Sequence, residues 1–180
     1  MGILGEIVKR LQSPENYARN LGVKIGEGCI IETREFSSEP YLIEIGNHVR
    51  ITRGVRFVTH DGGVWVGREK SHDFAVFGRI KVGNNTYVGN YTLVLAGVEI
   101  GANCVVGGYS VVTKSVPDGS VVAGNPARYL GSTEAYLQKM AALDTQLKHV
   151  TYEERRQQLL SGKVPMLRKP LLKTDAPGNG

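Results

Sequence analysis

The sequence predicts an all-β solenoid, a prism of triangular coils stacked as parallel strands. From Val82 to Pro117 the chain divides into six consecutive hexads: VGNNTY, VGNYTL, VLAGVE, IGANCV, VGGYSV and VTKSVP. Each is led by Val or Ile (Val82, Val88, Val94, Ile100, Val106, Val112), and its fifth residue is small or β-branched: Thr86, Thr92, Val98, Cys104, Ser110 and Val116. The same beat runs less cleanly upstream, in IGEGCI and IETREF from Ile25 and Ile31, then IGNHVR, ITRGVR and FVTHDG from Ile45, Ile51 and Phe57. A period of six fits neither an amphipathic helix nor an alternating strand. It fits a short strand and a corner, three of which close one coil.

In each unit the leading aliphatic faces inward, and the fifth side chain fills a tight corner. Glycine follows the aliphatic in four of the six clean hexads, where the backbone is cramped. A coil buries its apolar face only against its neighbours, so several are required. About four are expected over residues 21–130, at 25–44, 45–81, 82–99 and 100–117, with a loop insertion at 62–78. An open end needs a cover, and residues 1–20 are read as an N-terminal cap. There Ile3, Leu4, Ile7, Val8 and Leu11 form a helical stripe. Residues 131–162 read as helical. The first helix has Ser132 or Thr133 as N-cap and Tyr136, Leu137, Met140, Leu143 and Leu147 as its apolar face. The second runs from the capping box TYEE at Thr151 to about Leu160. The tail, 163–180, holds three of the seven prolines and is expected to be partly disordered.

The net charge is +5. Lys163, Arg168, Lys169 and Lys173 against Asp175 account for +3 of it, leaving about +2 for the body. That is no nucleic-acid footprint, which needs a clustered basic face, but it suits an anionic small ligand. No apolar run reaches a membrane-spanning length and the start lacks a secretory layout, so a cytoplasmic protein is expected. Cys29 and Cys104 make neither a disulfide framework nor a metal site.

The rhythm breaks once, at VTHDGGVW, residues 58–65. Asp61 falls on a fifth position and cannot be buried cheaply in a corner, so the chain must leave the coil beside His60. About nineteen extra residues follow before the beat resumes. A local rule that fails at one place marks a functional site. Register places Phe57 under Val94 and Val112, and His60 in the column of Thr113 and Lys114. Asn90 and Gly108 stack in the neighbouring column.

The hexads, with VVTKSVPDGSVVAGNPAR at 111–128, resemble the hexapeptide-repeat acyltransferases, and FVTHDGGVWVGR is most similar to their sugar O-acetyltransferases of surface-polysaccharide assembly. The resemblance implies a left-handed parallel β-helix, a homotrimer, acetyl-CoA as donor, no metal, and a saccharide or lipid-linked saccharide acceptor. It implies His60 as catalytic base, with Asn90, Gly108, Thr113, Lys114 and Arg128 on the cofactor. Two positions depart from the family pattern: Tyr109 stands where Gly is usual and Tyr87 where Trp is common. In the inserted loop Asp61, Trp65 and His72 are candidates for acceptor binding, with Asp61 also a candidate to orient His60. His48 reads as a surface residue. Cys104, Ser110 and Cys29 read as corner-packed rather than nucleophilic. Rival readings are an N-acetyltransferase acting on an amino sugar, a zinc lyase using His48, His60 and His72, and a non-catalytic scaffold.

Overall fold

The computed structural model describes residues 12–171, so the expected helical stripe from Ile3 to Leu11 and the tail beyond residue 171 lie outside the described residues. The chain divides into two compact units between Tyr136 and Leu137.

The first unit opens with helix α1 (Pro14–Asn20), capped by the Ser13 hydroxyl and led by a proline at its first turn. Its Ala18 is buried in the core, and Arg19 reaches the Ile25 and Gly26 carbonyls at 2.5 and 2.8 Å. Twelve short strands follow: β1 (Lys24–Ile25), β2 (Ile30–Ile31), β3 (Ile43–Ile45), β4 (Arg50–Ile51), β5 (Arg56–Phe57), β6 (Ile80–Val82), β7 (Tyr87–Val88), β8 (Leu93–Val94), β9 (Glu99–Ile100), β10 (Val105–Val106), β11 (Val111–Val112) and β12 (Ser120–Ala123). They build three parallel faces. The first is β1-β3-β6-β9, the second β2-β4-β7-β10-β12 and the third β5-β8-β11.

Pairing follows the six-residue beat. Val82 lies on Ile100, Val88 on Val106 and Val94 on Val112, each eighteen residues apart. Phe57 lies on Val94, which places the insertion where the rhythm stops. All six leading aliphatics are buried, and so are all six fifth-position residues. The corner hydroxyls are satisfied locally: Thr86 donates to the Gly101 carbonyl, Thr92 and Ser110 to that of Gly107. Phe36 and Phe57 stack at 5.6 Å between ring centres inside the prism.

Two pairings depart from eighteen, the first matching the twenty-residue coil read at 25–44 and the second not expected. Ile25 pairs with Ile45, two residues more than a regular coil, and Val106 with Val122, two fewer. The second face also gains an antiparallel strand, β13 (Arg128–Ser132), on β12. The stretch PDGSVVAGNPAR carries no hexad, so nothing in its spacing announced this hairpin.

Glycines set how closely coils approach. A Cβ on Gly83 would lie 2.5 Å from the Ala102 nitrogen and 2.6 Å from the Gly101 carbonyl carbon, both backbone atoms that cannot move aside. Gly83→Ala should therefore destabilise by about 1–3 kcal/mol, as overpacking does. Denaturant unfolding with an unchanged slope checks it.

In the second unit the expected first helix is shorter than its apolar pattern. Helix α2 (Thr133–Ala141), which crosses the boundary, starts at Ser132, whose hydroxyl accepts from Ala135, and buries none of its residues. Beyond it Asp144 turns the chain by accepting from the Gln146 nitrogen, with Gln146 at φ +55°, so Leu143 and Leu147 fall outside the helix. Helix α3 (Tyr152–Leu160) begins on the expected capping box, with Thr151 and Glu154 bonded reciprocally. Among the described residues no helix is long and apolar enough to cross a membrane.

Candidate active site

Both irregular stretches leave from the same edge of the prism, between the third and first faces. The longer one follows β5. Its ends are tied into a narrow antiparallel neck: Gly78 donates to the Thr59 carbonyl at 2.8 Å and Asp61 to the Val76 carbonyl at 2.9 Å, with His60 opposite Phe77. The shorter one contains the two residues added to the first coil. It brings Ser37, Ser38 and Glu39 alongside Thr59 and His60, where the Ser37 hydroxyl accepts from the Thr59 nitrogen at 3.2 Å.

The outcome is an imidazole with a fixed partner. Glu39 Oε2 lies 3.0 Å from His60 Nδ1 and accepts from the Thr59 hydroxyl at 2.7 Å. Ser38 Oγ is 3.4 Å from the same ring nitrogen. Hydrogen bonds hold the Glu39 carboxyl below its ordinary range, that of the Thr59 hydroxyl first and those of His60 and Ser38 after it, while partial burial opposes them. A lowered carboxyl stabilises the fold fully above its unfolded value, and loses that contribution as pH falls through the lowered one. Thr59→Val should move the Glu39 titration back towards the ordinary carboxylate value, read by carboxyl-carbon NMR. An ionised Glu39 accepts a hydrogen bond from Nδ1–H, which keeps its proton, and leaves Nε2 as the free acceptor. Nε2 has no protein partner among the described residues.

His60 lines an open cleft of about 300 Å³ with Glu39, Asp61, Trp65, Arg68 and Phe77. Trp65 is 70% exposed, and the Arg68 guanidinium lies 5.7 Å over its ring while its Nε donates to the Phe74 carbonyl. Asp61 is also at the cleft, but its carboxylate accepts from the Gly63 nitrogen at 2.8 Å, capping the short 3₁₀ turn Gly62–Gly67. The orienting role considered for Asp61 thus falls to Glu39, because adjacent side chains diverge whereas a residue one coil away faces His60. His72 sits exposed on the insertion and does not line the cleft. His48 belongs to a different edge, where its Nδ1 meets Asn85 at 2.8 Å and Asn85 donates to Asn103. A larger hollow, about 730 Å³, is a trough along the first face beside Gly46, Gly83 and Gly101 and holds no histidine.

The cofactor candidates divide between two edges. Thr113 and Lys114 follow β11 on the His60 edge, exposed. Asn90 and Gly108 stack on the edge between the second and third faces, as register required: the Tyr109 nitrogen donates to the Asn90 carbonyl at 2.8 Å. Tyr91 and Tyr109 stack beside them at 5.0 Å between centroids. Arg128 is exposed after the 124–127 turn, which docks on Val111 through the Gly124 carbonyl and the Ala127 nitrogen. A single chain therefore does not gather all five residues into one groove. Neither cysteine offers an alternative chemistry. Burial pushes the Cys104 thiol up, and both sulfurs sit on backbone carbonyls, Cys104 at 3.2 Å from Pro117 and Cys29 at 3.1 Å from Gly46.

Glu39, Ser38 and Thr59 are the members that hexad reading missed. A signal existed: Ile31 to Ile45 spans fourteen residues where two hexads need twelve, a second slip on the same edge as the first.

A parallel three-faced prism is the architecture of the hexapeptide transferases, and for the fold comparison with known proteins agrees. Residues 79–114 match the family described as bacterial transferase hexapeptide (six repeats). Protein CapG of Staphylococcus aureus is 48% identical over 159 residues, covering 87% of this chain and 92% of its own. The chain belongs to the hexapeptide-repeat transferase family, and its prism is a left-handed parallel β-helix. Among solved structures it is similar to the hexapeptide-repeat acetyltransferase VCA0836 of Vibrio cholerae, with a TM-score of 0.54, 24% identity and coverage of 68% of this chain and 82% of that one. It is also similar to a maltose O-acetyltransferase of Clostridium difficile 630, with a TM-score of 0.50, 23% identity and coverage of 66% and 73%. At that identity these two likenesses speak to fold alone.

Proposed function

We propose that the protein is an acetyl-CoA-dependent O-acetyltransferase acting on a saccharide hydroxyl, with His60 as general base. The observation that carries this reading is the Glu39-held imidazole, with Nε2 free, on the wall of a cleft that an exposed tryptophan also lines. Nε2 takes the proton of the acceptor hydroxyl as its oxygen attacks the thioester carbonyl. The proton then passes to the departing thiolate, so the base is regenerated and no acyl-enzyme forms. The Gly108 N–H, which has no protein partner among the described residues, suits stabilisation of the oxyanion. Trp65 offers a flat apolar face to a sugar ring, and Asp61 lies beside it for hydroxyl contacts. Lys114 and Arg128 offer charges to the coenzyme phosphates. The similarity of FVTHDGGVWVGR to sugar O-acetyltransferases of surface-polysaccharide assembly supports a polysaccharide precursor, free or lipid-linked, as acceptor, and a cytoplasmic setting suits the donor.

Because His60 and Gly108 lie on different edges, the reading requires a homotrimer in which one subunit's His60 edge meets the Asn90–Gly108 edge of the next. Thiol release from acetyl-CoA, screened across saccharide acceptors, tests the activity; release that needs no acceptor, or that amino sugars alone stimulate, would refute O-acetylation. Mixing His60→Ala with Gly108→Trp chains tests the assembly. Two inactive variants should recover about a quarter of wild-type turnover if each site draws on two subunits, and none if it draws on one.

A further inference from the structure

We propose that residues 155–171 form a membrane-surface segment that docks the protein on an anionic lipid bilayer. The role goes beyond acetyl transfer and does not depend on it. Between Glu154 and Asp175 the sequence has six basic residues and no acidic one. Arg155 is engaged with the carbonyls of Leu147, Lys148 and Val150, and Arg156 lies 3.8 Å from Glu153. The side-chain cations of Lys163, Arg168 and Lys169 have no partner among the described residues, and all three residues are exposed.

Apolar side chains alternate with these cations and are bare. Leu160 is 73% exposed, Met166 56%, Leu167 54% and Leu171 95%, and helix α3 buries none of its residues. Pro165 and Pro170 bracket the stretch and keep it out of a helix. A soluble polyanion would satisfy the cations but leave four large apolar groups in water. The interface of an anionic bilayer takes both, with the cations among the headgroups and the apolar chains at the acyl boundary. No helix among the described residues could span, so the association is peripheral.

Flotation of the full chain with phosphatidylglycerol–phosphatidylcholine vesicles tests this, with phosphatidylcholine vesicles and soluble heparin as controls. Binding to the anionic vesicles alone is expected, weakening as salt rises. The triple variant K163Q/R168Q/K169Q should lose roughly a hundredfold in affinity, about fivefold per cation. The variant M166S/L167S/L171S should lose at least tenfold with its charge intact. Both should keep the wild-type thermal midpoint, since none of these side chains is buried. Binding to heparin but not to vesicles, equal binding to both vesicle types, or an apolar variant that binds like wild type would each overturn the proposal.

Discussion

His60→Ala should lower kcat by about 10²–10⁴-fold, the usual contribution of a positioned base, and leave KM for acetyl-CoA within about threefold. The asymmetry follows from the proposed role, in which the imidazole acts only once the hydroxyl proton begins to move. Thr113, Lys114, Asn90 and Arg128, which are proposed to hold the donor, are untouched by the change. Folding should be preserved, because the His60 side chain is 40% exposed and packs at 6.5 Å from Phe77 rather than within the prism. Stopped assays of thiol release read the effect. Full turnover in the variant would remove His60 from the chemistry and leave the cleft as a binding surface.

Glu39→Ala should cost about 10–100-fold in kcat. The mechanism is indirect, so Glu39 is a positioning residue. Its carboxylate selects the tautomer that presents Nε2 as acceptor, and fixes the ring plane. Glu39→Gln tests this against a merely structural role. An amide keeps the size and one hydrogen bond, but it can donate to Nδ1 and so stabilise the tautomer with the proton on Nε2. If tautomer selection matters, the glutamine variant should be nearly as impaired as alanine, whereas Glu39→Asp should recover part of the rate. If Glu39 only fills space, glutamine should behave as wild type. Nitrogen-15 NMR of the His60 ring supplies the readout independent of rate, with the Nδ1-protonated form dominant in wild type and lost in the glutamine variant.

The prism was legible because its physics is periodic. A buried aliphatic at Val88 or Val106 and a small corner residue at Thr92 or Ser110 recur at fixed separations, and those separations survive in the pairing. His60 was legible for the opposite reason: it sits where the period stops. Glu39 was not, because its partner lies twenty-one residues away and only a two-residue surplus in the preceding coil brings them together. The β12–β13 hairpin and the early end of α2 escaped for a shared reason. Each is fixed by a tertiary pairing or a local turn, Ala123 with Arg128 in one case and Asp144 with Gln146 in the other. Neither leaves a repeating trace in composition.

The neck of the insertion makes the fold modular in one particular way. Two backbone hydrogen bonds, Gly78 to Thr59 and Asp61 to Val76, close it without using any side chain of the loop beyond them. The rungs above and below therefore have no stake in what residues 62–75 contain. Under the proposed function that stretch is a cassette whose exchange resets which acceptor is recognised, while the proposed donor platform and the Glu39–His60 pair stay where they are.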